Sequence, residues 1–353
     1  MSNIGDTLVI KQIIENDMPL FIYGSGEVAK FVHEKLKTNN LCVKGYFVDD
    51  IFLNSSDKNS ILPLSYINVY KEKFNIVMGH IEGYKISKSE IRRRINNINL
   101  NDIYYLSEIY NMEELSLKFI DMNKGKFQNI KNLLADEQSR KSLTAYIDAK
   151  VYNNYSCLKD IYCEEHYFPK DIISLNENES LIDCGAYIGD TIKDFIALNN
   201  NKFKNIIAVE ADPINMSILK ENYLDERIRF CEVAVFSKKT DLLFDSSENM
   251  LSKISEGNGV LVKADKLDNI VKEGEEISFI KMDIEGAEMA ALKGAEKIIK
   301  TQKPKLAISV YHKRNDLIEI FEYLKGLVPE YKFYFRVHKP IAIDAVLYAV
   351  AEF

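Results

Sequence analysis

The chain has 353 residues, of which 46% are hydrophobic and 28% charged, and its formal net charge is −7 at pH 7. This length predicts two domains, each large enough to bury a core. The negative charge gives no broad basic surface, so nucleic acid is not expected as a partner and a small-molecule or glycan substrate is favoured. No apolar run approaches the roughly 20 residues that cross a bilayer, and the first residues show no signal pattern. We therefore expect no membrane span and a cytoplasmic location.

The five cysteines are scattered and include no C-x-x-C pair, which is typical of a reducing compartment without disulfides. Cys157, Cys163 and His166 are potential ligands of a soft metal. Zinc normally takes four ligands at closer spacing, so these residues do not predict a metal site.

The first 110 residues alternate strand-like and helix-like patterns. Apolar runs lie at 20–23, 42–48, 75–78 and 103–106, and the segment after the first run has apolar residues at helical spacing: Val28, Phe31, Val32 and Leu36. Such alternation predicts a Rossmann-like α/β domain with a parallel sheet covered on both faces.

The turn after the first strand, Gly24-Ser25-Gly26-Glu27-Val28-Ala29, fits the G-x-G-x-x-A pattern of nucleotide-binding folds. Asp49 follows the next strand, so Gly24, Gly26 and Asp49 are candidate ligand residues. Residues 20–50 resemble the small amino-terminal domain of bacterial sugar acyltransferases, which implies a nucleotide-sugar ligand. Against this, Glu27 would repel a phosphate at the helix start, and about 110 residues supply one mononucleotide half only. A scaffold or homodimer contact is the alternative.

Helical patterns dominate residues 111–165, which we interpret as a connector, and residues 166–353 form a second, larger α/β domain. Its seven predicted strands are 181–184, 206–210, 229–235, 277–282, 306–310, 331–337 and 345–350. The loop between the last two is too short for a helical crossover, which predicts an antiparallel pair. The polar stretch 240–259 is either a lid or a hairpin, and a hairpin is favoured.

Three predicted strand ends of this second domain carry candidate binding and catalytic residues. The first strand runs into Asp183-Cys184-Gly185-Ala186-Tyr187-Ile188-Gly189-Asp190, where glycines permit close backbone approach and a helix start offers free amides. The second ends in Glu210-Ala211-Asp212, where a carboxylate can accept both ribose hydroxyls of a nucleoside. Solvated acids and a tight turn are the alternative for either motif alone.

The third strand end, Asp283-Ile284-Glu285-Gly286-Ala287-Glu288, places three acids within six residues. Holding three carboxylates close together costs free energy through charge repulsion, unless a cation, a proton or a helix N-terminus compensates their charge. Glu285 and Glu288 suit the first turn of a helix, so Asp283 is the candidate for chemistry and Glu288 is discounted.

The ordered series of motifs resembles the FkbM family of methyltransferases over residues 165–351. It comprises Glu165-His166-Tyr167-Phe168, the three strand-end motifs, Leu267-Asp268, Leu292-Lys293-Gly294-Ala295 and Lys303-Pro304 through Ser309-Val310-Tyr311-His312. The resemblance implies a class I methyltransferase fold, S-adenosylmethionine as methyl donor, and hydroxyl acceptors that are often sugars or polyketides.

The resemblance also implies roles for particular residues. Asp183, Gly185 and Gly189 would line the methionine part of the cofactor, Glu210 the ribose, and Asp283 the floor near the methyl group. The full expected cofactor-binding set is Asp183, Gly185, Tyr187, Gly189, Asp190, Glu210, Asp212, Ala234 and Asp283.

Transfer of a methyl group from a sulfonium to an alcohol is an in-line displacement that needs positioning and removal of a proton. Asp283 and His312 are the catalytic candidates. A divalent ion on Asp283 and a neighbouring acid is an alternative that is not predicted, and His312 could equally be a loop residue bonded to backbone. His338 is expected to be structural or to line the acceptor. Two other classes stay open: a nucleotide-sugar or dinucleotide-binding enzyme or sensor that uses the first domain, and a binding protein without turnover.

Overall fold

The computed structural model describes residues 4–53, 61–80, 83, 86–106, 115–152, 155–245, 253–254, 260–339 and 344–351. The chain forms two compact units. Among the described residues, the first runs through to Lys124 and adds Thr144–Tyr162 and Lys339. The second contains Gly125–Leu143, Cys163–His338 and the residues from 344 onward. Within these ranges, no helix is both long and apolar enough to span a membrane.

The first unit is a Rossmann-like layer around a five-stranded parallel sheet of order β3-β2-β1-β4-β5. Its strands are β1 (Leu20–Tyr23), β2 (Val43–Val48), β3 (Ile61–Pro63), β4 (Phe74–Met78) and β5 (Leu100–Tyr104). Its helices include α1 (Ile4–Asn16), α2 (Glu27–Thr38), α3 (Leu64–Asn68) and α4 (Lys88–Ile95). The expected parallel sheet is confirmed, with β3 as a strand that the sequence did not reveal.

Burial on both faces explains why the run at β1 is apolar without alternation: all four of its residues are buried. Helix α2 packs Ala29, Val32 and Leu36 inward, each with no exposed surface. The expected inward position of Phe31 is wrong, since its side chain is 41% exposed. The ammonium of Lys35 lies 5.6 Å from the centroid of its ring, within the range of a cation–π interaction.

Helices fill the described part of the predicted connector: α5 (Leu117–Met122), α6 (Lys124–Leu133) and α7 (Glu137–Tyr152). Ser116 caps α5 by accepting a hydrogen bond from the amide of Phe119. The segment is shared between the units, because residues 125–143 belong to the second and the described residues on either side belong to the first.

The second unit is built on a seven-stranded sheet of order β15-β16-β14-β13-β6-β7-β8. Its strands are β6 (Ser180–Cys184), β7 (Asn205–Glu210), β8 (Ile228–Glu232), β13 (Phe279–Met282), β14 (Lys305–Ser309), β15 (Lys332–Val337) and β16 (Ala345–Val350). Its helices from residue 190 onward are α8 (Asp190–Leu198), α9 (Pro213–Asn222), α10 (Leu267–Ile270), α11 (Glu288–Gly294), α12 (Glu296–Gln302) and α13 (Asp316–Leu327). The antiparallel pairing of the last two strands is confirmed.

Strand order reverses at β6, which pairs with β7 on one side and with β13 on the other. All five residues of β6 and all four of β13 are buried, so both strands lie in the core of the sheet. In open parallel sheets a crevice forms where the loops leave such neighbouring strands in opposite directions. The sequence motifs at residues 183–190, 210–212 and 283–288 all follow strands at this position.

The predicted strand 229–235 is wrong as a single element. The chain leaves the large sheet after β8, and Ala234–Val235 (β9) joins a second, four-stranded sheet of order β11-β10-β12-β9. Its other strands are β10 (Thr240–Asp245), β11 (Lys253–Ile254) and β12 (Val260–Asp265). Strands β10 and β11 pair antiparallel, which confirms the expected hairpin, although residues 246–252 and 255–259 lie outside the described residues.

Candidate active site

The turn after β6 is held against the loop after β13. Gly185 has φ +75°, and a Cβ there would lie 2.0 Å from the carbonyl oxygen of Asp283. Its amide donates to the carbonyl of Val209 at 2.9 Å, which ties the turn to β7 as well. Glycine is therefore required by backbone contacts within the protein, whether or not a ligand also approaches.

Gly189 begins α8 in a left-handed conformation, with φ +93°. A Cβ there would lie 2.3 Å from the ring of Tyr223. Tyr187, between the two glycines, also has a positive φ of 49°, and its amide points at the next strand end. Asp190, the first residue of α8, is exposed. This strained turn presents backbone groups at the place where the strand order reverses.

Glu210 ends β7 with both carboxylate oxygens anchored by backbone. Oε2 accepts from the amide of Tyr187 at 2.9 Å, and Oε1 accepts from the amide of Asp212 at 2.8 Å. Burial raises the pKa of Glu210, an effect that these two amides oppose. Asp212 uses its Oδ1 to cap α9 through the amides of Ile214 and Asn215. Ala234, in β9, is half-buried.

Asp183 has no exposed surface and lies beside a lysine that is 3% exposed. Its Oδ1 is 3.0 Å from Nζ of Lys281, which comes from the neighbouring strand β13. The same ammonium donates to the carbonyl of Gly185 at 2.8 Å. Burial raises the pKa of Asp183 to about 6 even though Lys281 opposes the shift. The protein itself supplies the counter-charge of Asp183, and the pair fixes the turn at Gly185.

Asp283, directly after β13, accepts hydrogen bonds from two tyrosines. The hydroxyl of Tyr167 donates to Oδ2 at 2.6 Å, and that of Tyr311 lies 3.2 Å from Oδ1. Burial would raise the pKa of Asp283, but His312, Lys281 and the Tyr167 hydroxyl outweigh it and hold the pKa below its ordinary value. The carboxylate is ionised and oriented.

His312 follows β14 and lies among three carboxylates, with 8% of its side chain exposed. Its Nδ1 is 3.1 Å from Oε1 of Glu288, and its Nε2 is 3.4 Å from Oε2 of Glu285 and 3.5 Å from Oδ1 of Asp283. Burial would lower the pKa of His312, but these carboxylates raise it to about 9. The imidazole is therefore a cation at neutral pH in this state, and a loop histidine bonded only to backbone is not what the structure contains.

Glu288 is fully buried, although the sequence suggested a first-turn residue of minor interest. Its Oε1 accepts from the amide of Ile284 at 2.9 Å and lies 3.3 Å from that of Gly286, so it does cap the loop. The capping role accounts for one oxygen only, because Oε2 has no hydrogen-bond partner among the described residues. Glu285 has a positive φ of 54°, and burial raises its pKa to about 7.

The candidate residues of the first unit are less open to a ligand. Gly24 has φ +127°, and a Cβ there would lie 2.4 Å from the carbonyl oxygen of Gly79. Asp49 accepts from the hydroxyl of Tyr23 at 2.7 Å and lies 3.7 Å from Arg94. Only Gly26, before α2, has open space where its Cβ would be. Gly24 and Asp49 thus have structural partners of their own.

Sequence reasoning gave no role to Tyr167, Lys281 and Tyr311, which lie around Asp183 and Asp283. Tyr167 and Tyr311 lie in motifs of the family resemblance and Lys281 in a predicted strand, yet nothing in the sequence marked them as chemical. Lys281 occurs in an otherwise apolar strand, and a lysine inside a buried run is the one available signal, since buried lysines need a partner.

The seven-stranded sheet, with β16 antiparallel to both of its neighbours, has the Rossmann-like methyltransferase fold that the sequence predicted. The family model of the methyltransferase FkbM domain matches residues 183–333. Over these residues the family resemblance is confirmed, and the match supports methyltransferase activity.

The fold agrees with that of a solved relative along almost the whole chain. The crystal structure of methyltransferase FkbM from Methylobacillus flagellatus KT is 21% identical, with a TM-score of 0.76 over 98% of this chain and 96% of that chain. The fibrillarin pre-rRNA processing protein of Methanococcus jannaschii is 14% identical over 51% of this chain and 70% of its own, with a TM-score of 0.33. An SAH-bound methyltransferase of Podospora anserina is 13% identical over 50% of this chain and 72% of its own, with a TM-score of 0.28. No curated protein sequence matches the chain.

Proposed function

We propose that the second unit transfers a methyl group from S-adenosylmethionine to a hydroxyl oxygen of a sugar or a sugar-like small molecule. The observation that carries this proposal is the Glu210 carboxylate, which two backbone amides hold at a strand end beside the Gly185 turn. Each carboxylate oxygen has a further lone pair, so the pair of oxygens can accept the two ribose hydroxyls of a nucleoside.

The turn from Gly185 to Asp190 would hold the methionine part of the cofactor through its backbone. In this proposal Asp183 acts through Lys281, which fixes the carbonyl of Gly185, and touches no ligand directly. Asp212 and Ala234 follow β7 and β8 and would line the base side of the same cleft, as the resemblance implies.

The polar side chains around Asp283 support a polyhydroxylated acceptor. Tyr167, Glu285 and Tyr311, from three separate loops, offer two hydroxyls and a carboxylate near Asp283, and sugars bind through such hydrogen bonds. Asp283 would orient the attacking hydroxyl, so that its oxygen lies in line with the S–CH3 bond. His312 lies behind Asp283 and is the second catalytic candidate.

Titration calorimetry with S-adenosylmethionine tests the cofactor part of this proposal. The intact protein is expected to bind it with micromolar affinity, and Glu210→Gln should weaken binding at least tenfold, because hydrogen bonds to a charged group contribute about 1.5–3 kcal/mol. Glu232→Gln is the matched control, since Glu232 ends the next strand and is ion-paired with Lys220 at the surface. Absence of binding by the folded protein would refute the proposal.

The acceptor part is tested by release of S-adenosylhomocysteine with a panel of sugars and nucleotide sugars. Product formation on a hydroxyl, located by mass spectrometry, supports the proposal. Tight cofactor binding without turnover on any acceptor would instead support a non-catalytic binding protein.

An enzyme or sensor that uses the first unit for a dinucleotide or nucleotide sugar is the alternative. Its support is the open space at Gly26, at the start of α2. Quenching or enhancement of NADH fluorescence by the protein, lost in Gly26→Val, would favour it. No response to NADH or to a nucleotide sugar would remove it.

A further inference from the structure

Three side chains from the loops after β13 and β14 converge on one point. Asp283, Glu288 and His312 can each direct one ligand atom so that the three atoms lie within 4.8 Å of one another. Among the residues that the structure describes, no other group of three or more His, Cys, Asp or Glu side chains converges this closely. Donors bound to one divalent ion at about 2.0–2.2 Å lie at most about 4.4 Å apart, so small side-chain movements would suffice.

Three polar atoms of the convergence lack hydrogen-bond partners among the described residues: Oε2 of Glu288 and both ring nitrogens of His312. Glu288 has no exposed surface, and its Oε2 makes no hydrogen bond to any described residue. Both ring nitrogens of His312 lie 3.1–3.5 Å from carboxylate oxygens without hydrogen-bond geometry. Buried polar groups are nearly always satisfied, so three unsatisfied atoms on two neighbouring side chains indicate a missing partner.

The local charge favours a cationic partner. Asp283, Glu285 and Glu288 surround the imidazole of His312, the ammonium of Lys281 is already paired with Asp183, and that of Lys313 donates to the carbonyl of Gly286. A metal ion would displace the proton of His312 to solvent, after which two carboxylates and one neutral imidazole would neutralise a dication and supply one nitrogen and two oxygens. This mixed donor set suits Mn²⁺, Fe²⁺ or Zn²⁺ better than Ca²⁺, which takes oxygen ligands.

We propose that Asp283, Glu288 and His312 bind one divalent transition-metal ion, which takes the acceptor hydroxyl at an open coordination position. This inference rests on the proposed function for its purpose. A bound cation lowers the pKa of a coordinated O–H group, so the acceptor O–H bond breaks and its proton goes to water. The oxygen then forms a bond to the methyl carbon as the S–CH3 bond breaks, and the cosubstrate leaves as a neutral thioether.

The test is direct metal binding by the full chain, freed of metal with a chelator, in the absence of cosubstrate and acceptor. Titration calorimetry with MnCl2, with the electron paramagnetic resonance of Mn²⁺ as a second readout, is expected to give one ion per chain. Glu288→Gln and His312→Gln should each weaken binding more than tenfold, because each removes one of only three protein ligands.

Glu285→Gln is the matched control, since it removes the same charge from the same loop but is not one of the three ligands. It should change the Mn²⁺ affinity less than about threefold. Glu288→Gln keeps an amide oxygen where Oε1 accepts from Ile284, and circular dichroism checks that each variant is folded. The proposal is overturned if the folded protein binds no Mn²⁺ or Zn²⁺, or if Glu285→Gln weakens binding as much as Glu288→Gln does.

The failure of this site and the failure of the proposed function give different results. Cosubstrate binding and methyl transfer that persist in excess chelator would remove the metal site and leave the methyltransferase. Stoichiometric Mn²⁺ binding lost in the ligand variants, in a protein that binds no S-adenosylmethionine, would keep the metal site and remove the proposed function.

Discussion

The two α/β units share a topology and differ in what they place at the strand-order reversal. In each sheet a central strand, β1 or β6, has its sequence neighbours on one side and a later strand on the other. In both units the turn after this strand is closed by a backbone carbonyl, that of Gly79 against Gly24 and that of Asp283 against Gly185. In the second unit, this region also holds the buried pair of Asp183 and Lys281.

Burial of charge is the physical difference between them. The acid at the second strand end of the first unit, Asp49, is paired with a half-exposed arginine, Arg94. The acids of the second unit are buried with partners that hold them in one geometry, as expected for groups that must be preorganised. The same fold can therefore be a scaffold or an active site, and the buried titratable groups distinguish the two.

The largest expected effect is that of Lys281→Met. Removing the ammonium leaves Asp183 buried without its counter-charge, which typically costs about 3–5 kcal/mol of unfolding free energy. Urea unfolding measures the loss. The double variant Asp183→Asn/Lys281→Met removes both charges and should recover part of it. If Lys281→Met were as stable as the double variant, the charges of Asp183 and Lys281 would not be energetically coupled.

A smaller effect is expected for Gly185→Ala. A methyl group there meets the carbonyl of Asp283 and must adopt a left-handed φ, and together these should cost roughly 2–4 kcal/mol and abolish cofactor binding. Gly26→Ala in the first unit is the matched control, because nothing lies within 4 Å of its added carbon. Equal losses of stability in the two variants would contradict the close contact at Gly185.

His338 should make the second unit sensitive to acid. Its Nδ1 faces the carbonyl of Cys163 at 2.9 Å, so this nitrogen carries the proton and Nε2 accepts from the hydroxyl of Tyr348 at 2.7 Å. Burial, reinforced by the nearby His166, lowers the pKa of His338 to about 3. Between pH 6.5 and about 3 the unfolded chain takes up a proton that the folded chain does not.

The contribution of His338 to the free energy of unfolding is therefore present above pH 6.5 and is lost as the pH falls towards 3. We expect a loss on the order of 1–3 kcal/mol between pH 6.5 and pH 4, measured by urea unfolding at each pH. His338→Gln should flatten that dependence, and Tyr348→Phe, which keeps the imidazole, should retain it. An unchanged acid profile in His338→Gln would show that other groups dominate.

The sequence predicted the large sheet because its central strands are uninterrupted apolar runs that end in glycine or acidic motifs. It missed the four-stranded sheet, whose strand β9 has only two residues. Burial of Glu288 was also out of reach, because an acid in the first turn of a helix is ordinarily a capping residue. Its position opposite His312 depends on how β13 and β14 align, which is a tertiary property.

The smallest effect is expected for the charge pair of the first unit. Arg94 and Asp49 lie 3.7 Å apart, and their side chains are 43% and 24% exposed, so Arg94→Ala should cost no more than about 1 kcal/mol. Urea unfolding at 0.05 M and 0.5 M NaCl measures this, and salt should reduce the difference between variant and parent because exposed charges are screened. Lys281→Met should show no such dependence on salt, since its partner is shielded from the solvent. A loss at Arg94 as large as that at Lys281 would show that the first unit also depends on a desolvated charge at its strand ends.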